Sequence, residues 1–220
     1  MGGKWDLLAF LYMCEQTEKD YAAKGISRDI LLDTLSDIVL WCREWSALKG
    51  ELYLGETGWL ACHISSRLFK LGRLQFGIET VPEKFAKYGM HPGGNYISVH
   101  IPATGPLYIP SCEASFSQAR EFFAKHFPNV KYSYFSCSSW LLDDTLKDFL
   151  PENSNIIRFA SLFEPVDRKE TDEIMRYIFG MDTTRENLQG CQCRSDFARH
   201  IQQALLSGQT FFSVRGLRKA

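Results

Sequence analysis

Residues 4–47 carry apolar side chains at helical spacing. One apolar stripe predicts a first helix and consists of Trp5, Leu8, Leu11 and Tyr12. This helix is expected to end at Gly25. A second helix is predicted after Ser27, whose hydroxyl is a favourable N-cap. Its stripe is wide enough to indicate a well-buried helix: Ile30, Leu31, Thr34, Leu35, Ile38, Trp41, Cys42 and Trp45. A loop then leads to a short third helix with Trp59 and His63.

Beyond residue 64 the period changes from helical to alternating. Residues 66–79 alternate as a single strand, and residues 95–102 form a second strand that we expect to pair with it in antiparallel fashion. The rest of the chain predicts mixed elements: a helix at 111–127, a strand at 131–137, a helix at 141–150, a strand at 154–166, helices at 168–180 and 183–208, and a strand at 209–217. Thr183 and Glu186 are spaced as a capping box for the last helix.

This order of elements predicts an α/β (α+β) fold. A mixed β-sheet flanked by helices is expected, because an antiparallel pair stands beside helical crossovers. An N-terminal helical segment precedes it. We place the boundary between residues 1–64 and residues 65–220.

Composition and charge exclude several function classes. The formal net charge of −1 gives no electrostatic footprint for nucleic acid or an anionic membrane. No apolar run approaches the roughly 20 residues that span a bilayer. The seven cysteines are odd in number and irregularly spaced, which is typical of reduced thiols. Since the N-terminus also lacks a signal-peptide pattern, we expect a cytoplasmic protein.

Candidate catalytic residues lie at the ends of two predicted strands. His100 ends the strand at 95–102 and could act as a general base, or it could be a structural histidine. Cys137, Ser138 and Ser139 end the strand at 131–137 and could supply a nucleophile or a proton donor. Alternatively, Ser139 caps the helix that follows, which is the favoured interpretation.

Other polar residues have structural interpretations that we favour. Three arginines lie in or beside predicted strands: Arg67, Arg73 and Arg158. They could clamp an anion, or they could pair with acidic residues, namely Asp33, Asp37 or Glu164. Cys191, Cys193 and His200 supply three soft ligands without a fourth, so no metal site is predicted.

Six blocks of sequence resemble one bacterial family. They are "DTLSDI" (33–38), "GWLACHISSRLFKLGRLQF" (58–76), "VHIPATGPL" (99–107), "SQAREFFAKHFP" (117–128), "CSSWLLDD" (137–144) and "LPENSNIIRFASLFEPV" (150–166). Together they resemble the GNAT-like C-terminal domain of acyltransferase-domain proteins. The resemblance implies a GNAT-like sheet in residues 65–220. It also implies that residues 1–64 are the remnant or junction of a larger N-terminal domain.

The resemblance further implies an acyltransferase that moves an acyl group from acyl-CoA to an unknown amine or hydroxyl acceptor. Acyl-CoA would be a co-substrate, with no covalently bound cofactor, and a homodimer is left open. Its pantetheine arm would lie between strands 95–102 and 131–137. The groups implied in binding are Ile101, Thr104, Gly105, Leu107 and Ser111; His100 would be the base, with Ser138 or Ser139 as proton donor.

The expected phosphate loop departs from the usual pattern of the superfamily. Residues 102–115 read "PATGPLYIPSCEAS", with one glycine, three prolines and no arginine. Each proline removes an N–H donor. Two alternatives therefore stay open: a non-catalytic GNAT-like binding module that has lost CoA binding, and a Ser or Cys hydrolase that uses His100.

Overall fold

The computed structural model describes residues 3–220. The chain forms two compact units. The first comprises the residues up to 105 together with 110–133, and the second comprises 106–109 and 134–220.

Three helices open the first unit: α1 Lys4–Ala23, α2 Arg28–Lys49 and α3 Thr57–Ile64. Helix α2 begins as predicted, since the Ser27 hydroxyl accepts a hydrogen bond from the Ile30 N–H. Helix α1 ends before Gly25, which adopts a φ of +66°. Both helix boundaries follow from local sequence signals.

The apolar stripe predicted on α1 faces solvent. Trp5 and Tyr12 are 74% and 82% exposed, whereas Phe10 and Tyr21 are buried on another face of the helix. Thr17 fixes that buried face by donating a hydrogen bond of 2.7 Å to the Ile64 carbonyl. The stripe predicted the helix correctly and its buried face wrongly, because tertiary packing decides which face is covered.

An antiparallel meander follows the helices: β1 Leu68–Leu71, β2 Leu74–Thr80 and β3 Asn95–His100. The predicted antiparallel pairing is confirmed. The single strand predicted at 66–79 is wrong, because it is a hairpin that turns at Gly72, whose φ is +69°. A 3₁₀ helix, Glu83–Tyr88, lies in the β2–β3 connection.

Helix α4, Ile109–His126, supplies the aromatic core of the first unit. The Phe116 ring lies 5.7 Å from the Phe76 ring, and the Phe122 ring lies 4.8 Å from the Phe69 ring, measured between centroids. These contacts pack the helix against the meander and bury its apolar face.

The second unit is built on another antiparallel set of strands. β6 pairs with both β4 and β5. Its elements are β4 Tyr132–Ser139, 3₁₀ helices Trp140–Leu142 and Asp144–Asp148, α5 Asn155–Ala160, β5 Glu164–Glu170, α6 Glu173–Phe179, a 3₁₀ turn Leu188–Gly190, α7 Asp196–Leu206 and β6 Phe212–Lys219. Leu146, Ile174, Ile201 and Phe211 form its fully buried core.

Two predicted elements of the second unit are wrong. Residues 154–166 are not one strand, because the Ser154 hydroxyl caps helix α5 by accepting from the Ile157 N–H. The last helix begins at Asp196 rather than at Thr183, and the Ser195 hydroxyl caps it. In both cases a serine cap defines a helix start that the apolar pattern alone missed.

The alternation of helices and strands confirms the predicted α/β (α+β) class, with a mixed sheet flanked by helices and preceded by an N-terminal helical segment. Within residues 3–220 no helix combines the length and apolar character that crossing a bilayer requires. The domain boundary at residues 64/65 stays a prediction.

A glycine on β6 is required by close packing. A Cβ added at Gly216 would lie 2.6 Å from the Phe163 Cβ and 3.2 Å from the Leu142 Cδ1. We therefore expect Gly216→Ala to lower the free energy of unfolding by about 1–3 kcal/mol, as overpacked sites do. Urea denaturation measures the change.

Gly58 on α3 provides the matched control, because a Cβ there meets no atom within 4 Å. Gly58→Ala should leave stability unchanged or raise it by up to about 1 kcal/mol through helix propensity. A Gly216→Ala protein as stable as the wild type would contradict the tight packing of β6 against Phe163.

Candidate active site

His100 is the last residue of β3, and its side chain is half-buried. Its Cα partner on β2 is Gln75. The Trp59 ring of α3 lies against it, with 4.7 Å between ring centroids. The candidate base is therefore held between a strand neighbour and an indole, which limits the orientations of its ring.

A buried polar cluster lies next to Trp59. The His63 Nε2 is 3.0 Å from the Asp37 Oδ2, and the Gln75 Nε2 donates to the same oxygen at 2.9 Å. The His63 Nδ1 is 3.4 Å from the Trp59 carbonyl oxygen. Both ring nitrogens of His63 therefore face oxygen atoms. The cluster joins α2, α3 and β2.

The electrostatics of this cluster favour a charged carboxylate. Burial alone raises the pKa of the Asp37 carboxyl. The hydrogen bonds from His63 and Gln75, together with the attraction to His63, outweigh burial and hold that pKa below its ordinary value. Asp37 therefore remains ionised in the interior at neutral pH.

Arg73 anchors the loop that follows β3. Its Nη1 donates to the Pro102 carbonyl at 3.1 Å, and its Nη2 donates to the Gly105 carbonyl at 2.8 Å. The Arg73 N–H donates to the Ser115 hydroxyl on α4 at 2.8 Å. The arginine thus ties the β1–β2 turn to the loop and the helix on which CoA binding was predicted.

The other two arginines do not make the acidic pairs expected from the sequence: Arg67 precedes β1 and Arg158 lies in α5. Arg67 donates to the Ser65 hydroxyl at 3.0 Å, and the side chain of Arg158 is exposed. Asp37 pairs with His63 instead of an arginine. That arginine–acid interpretation is wrong for these residues, because the buried partners of the Asp37 carboxylate are His63 and Gln75.

The predicted phosphate loop already uses one of its donors. The Thr104 N–H donates to the Pro102 carbonyl at 2.7 Å. Helix α4 begins at Ile109, two residues before the predicted start at Ser111, and Pro110 in its first turn has no N–H. Within residues 3–220 the Gly105 N–H has no hydrogen-bond acceptor.

The predicted residues on β4 have distinct environments. Ser138 is exposed. The Ser139 hydroxyl accepts from the Leu141 N–H at 3.1 Å, so it caps the 3₁₀ helix Trp140–Leu142 as the favoured interpretation expected. Burial raises the pKa of the Cys137 thiol to about 12. Cys137 is therefore a protonated thiol at neutral pH, which disfavours a cysteine hydrolase.

The predicted site residues are divided between the two units. The first unit contains His100, Ile101, Thr104, Gly105 and Ser111. The second unit contains Leu107, Ser138 and Ser139. The assignment of these residues to catalysis and to CoA binding stays a prediction.

Cys191 and Cys193 have partners of their own. The Cys193 thiol donates to the Gln202 Oε1 at 3.1 Å, and the Cys191 thiol lies 3.8 Å from the Thr183 hydroxyl. Among residues 3–220 no group of three His, Cys, Asp or Glu side chains is arranged to hold a metal ion.

Sequence reasoning missed two functional features of the first unit. Arg73 was considered as an anion clamp or an ion-pair partner, although it anchors a loop through carbonyl oxygens. The cluster of Asp37, His63 and Gln75 was also missed as a unit. Its signal is present in the chain, since Asp37 falls within the apolar stripe of α2 and Gln75 lies in an apolar strand.

The charged cluster should make stability depend on pH at acidic values. A carboxyl whose folded pKa is lowered stabilises the fold above its unfolded pKa of about 3.9, and this contribution is lost as pH falls through the folded pKa. We expect Asp37→Asn to cost about 1.5–3 kcal/mol at pH 7, as for a buried hydrogen bond to a charged group. The difference from wild type should shrink below about pH 4.

Asp33→Asn is the matched control, because Asp33 lies one turn earlier on α2 and is exposed. It should change the free energy of unfolding by less than about 0.5 kcal/mol at any pH. Urea denaturation between pH 3 and pH 7 makes both measurements. A difference between Asp37→Asn and wild type that stays constant with pH would contradict the ionised Asp37.

Two family models together match nearly all of the chain. The model of the GNAT-like C-terminal domain matches residues 68–218, and the model of the N-acyltransferase N-terminal domain matches residues 3–66. No curated protein sequence matches the chain.

Solved acyltransferase structures are similar to almost the whole chain. One, an acyltransferase in complex with decanoyl-CoA and teicoplanin, is 26% identical with a TM-score of 0.85, and the match covers 96% of this chain and 64% of that chain. A mutant acyltransferase in complex with octanoyl-CoA is 25% identical with a TM-score of 0.87, over 97% of this chain and 65% of that chain.

A third structure, an acyltransferase in complex with CoA and 10C-teicoplanin, is 25% identical with a TM-score of 0.85. The match covers 96% of this chain and 64% of that chain. The chain therefore spans slightly less than two thirds of the length of these acyltransferases. The family that the six sequence blocks predicted is confirmed by the models and by these structures. The chain belongs to the family of the GNAT-like C-terminal domain.

Proposed function

We propose that this protein is an acyl-CoA-dependent acyltransferase. The observation that carries the proposal is the likeness to acyltransferases bound to acyl-CoA, which extends over 96–97% of this chain at 25–26% identity. The match of residues 68–218 to the GNAT-like C-terminal domain supports it independently.

The relatives also indicate the class of donor and acceptor. Solved relatives hold octanoyl-CoA or decanoyl-CoA, so we propose a medium-chain acyl-CoA as the donor. The match of residues 3–66 to an N-acyltransferase N-terminal domain favours a nitrogen acceptor over an oxygen acceptor. The acceptor is accordingly proposed to be a primary amine.

The proposed phosphate site is the loop after β3 and the start of α4. Arg73 holds two carbonyls of this loop, which fixes its path. The N–H groups proposed for the pyrophosphate are those of Gly105 and of Ser111 at the helix start, where unpaired donors and the helix dipole favour an anion. The Thr104 N–H is omitted from this set because it donates to Pro102.

In the proposed reaction the acceptor nitrogen attacks the thioester carbonyl carbon. His100 takes the proton from that nitrogen, the C–S bond breaks, and the leaving thiolate takes a proton from Ser138 or Ser139. Solvent returns a proton to the serine, and His100 releases its proton to solvent. The products are an amide and the CoA thiol. Most of the rate enhancement would come from positioning the amine against the thioester. The Trp59 ring, tilted by 55° against the His100 ring, supports this role by limiting the motion of the imidazole.

Binding of CoA is tested by thermal unfolding with octanoyl-CoA, CoA and pyrophosphate. A ligand at about 100 times its Kd stabilises the folded state by about 2.7 kcal/mol. We expect such stabilisation with octanoyl-CoA, and we expect Gly105→Val to abolish most of it, because the loop conformation at φ +68° disfavours a β-branched residue.

Gly93→Val is the matched control. Gly93 has a φ of +77° and, like Gly105, open space around its Cβ position, so both variants carry a similar backbone cost of about 1–2 kcal/mol. Only Gly105→Val should lose the response to octanoyl-CoA. No stabilisation of the wild type by any CoA compound would overturn the proposed site.

Catalysis by His100 is tested by the release of CoA thiol from octanoyl-CoA in the presence of a panel of primary amines. We expect His100→Gln to lower kcat by about 10²–10⁴-fold, as for loss of a general base, and to leave octanoyl-CoA binding intact. His91→Gln, at an exposed histidine, should retain full activity. If the wild type bound octanoyl-CoA but released no CoA thiol with any of the amines, the non-catalytic module would be favoured instead.

A further inference from the structure

The second unit contains a cavity that none of the proposed catalytic or CoA-binding residues lines. Its volume is about 580 Å³, within the range of small-molecule sites. The 3₁₀ segment after β4, helix α5 and the strands β5 and β6 surround it. A cavity of this size can enclose the greater part of a small ligand.

The interior of the cavity is apolar. Its apolar lining consists of Leu142, Leu150, Ile157, Phe163, Pro165 and Val214. Gly216 lies in the same wall, where Leu142 and Phe163 converge so closely that no side chain fits. Such a lining favours the hydrocarbon part of a ligand over a bare ion.

The acidic residues near the cavity are largely engaged. Asp143 accepts hydrogen bonds from the Phe212 N–H at 2.7 Å and from the Thr145 hydroxyl at 2.7 Å. The Arg168 guanidinium lies 3.9 Å from the Asp143 carboxylate and 3.8 Å from that of Asp144. Arg168 thus offsets one of these two negative charges, and two hydrogen bonds further stabilise Asp143.

Two basic side chains that line the cavity are not engaged. Within residues 3–220, Lys147 and Arg158 make no side-chain hydrogen bond or ion pair. Glu152 is the one acidic lining residue in the same condition. The unpaired charges therefore favour an anionic group, and a guanidinium matches a carboxylate with two parallel hydrogen bonds.

We propose that this cavity binds a medium-chain fatty acid. The hydrocarbon chain lies against Leu142, Phe163 and their neighbours, and the carboxylate lies between Lys147 and Arg158. The site is separate from the proposed CoA site and does not require the acyltransferase activity.

Calorimetric titration with decanoic acid, below its micelle concentration, tests the site. Because each buried methylene contributes to binding, octanoic acid should bind about tenfold more weakly or worse. 1-Decanol and decylamine should bind more weakly than decanoic acid, because neither offers an anion to Lys147 and Arg158. Tighter binding of decylamine would show that the acidic residues dominate and would overturn the proposal.

Variants then locate the site. Arg158→Gln and Lys147→Gln should each weaken the binding of decanoic acid by about three- to tenfold and leave the binding of 1-decanol unchanged. Ser161→Trp, at an exposed lining residue, should fill the cavity and remove binding of both ligands. Lys169→Gln is the charge control, since Lys169 is exposed in the same unit and does not line the cavity.

Unchanged binding in Ser161→Trp, or no binding by the wild type at millimolar decanoic acid, would overturn the proposal. If saturating CoA competed with decanoic acid, the fatty acid would lie in the CoA site, and this result would also overturn the proposal. Titration of Gly105→Val separates the two sites, because this variant should lose octanoyl-CoA and retain decanoic acid. Failure of CoA binding alone therefore leaves the fatty-acid result intact.

Discussion

The guanidinium of Arg73 is the constraint on which the proposed site depends. It joins a two-residue hairpin turn to the carbonyls of Pro102 and Gly105, and the backbone N–H of Arg73 donates to Ser115 on α4. A loop with two prolines, Pro102 and Pro106, and one glycine has few backbone donors with which to fix its own path. The arginine supplies that order from outside the loop. It acts as a structural anchor, which leaves the anion to backbone N–H groups.

The buried cluster of Asp37, His63 and Gln75 has a related role for His100. It fastens α2 and α3 to β2 through a single carboxylate oxygen. Trp59, whose carbonyl faces His63, contacts His100 with its ring. An ionised carboxylate in the interior is costly unless hydrogen bonds compensate for it, so the donors that face Asp37 are held in one arrangement. The position of the candidate base thus depends on the buried residues Asp37, His63 and Gln75.

Much of the fold could be predicted from the sequence because its signals are local. The Ser27 cap and the Gly25 terminus need only neighbouring residues. The errors arose where local patterns are ambiguous. The hairpin at Gly72 preserves the alternation of a longer strand, and the isoleucines of α5 favour a strand until the Ser154 cap is considered. The candidate site was harder to predict from the sequence, because His63 and Gln75 lie 26 and 38 residues from Asp37 along the chain. No spacing rule joins residues so far apart.

Hydrogen exchange of residues 103–112, with and without octanoyl-CoA, tests the central claim most directly. The account predicts that octanoyl-CoA slows exchange of the Gly105 amide and of the first amides of α4, because they would become donors to the pyrophosphate. Pyrophosphate alone should give weaker protection of the same amides. Binding of octanoyl-CoA that leaves these amides unprotected, with protection elsewhere in the chain, would contradict the proposed CoA site.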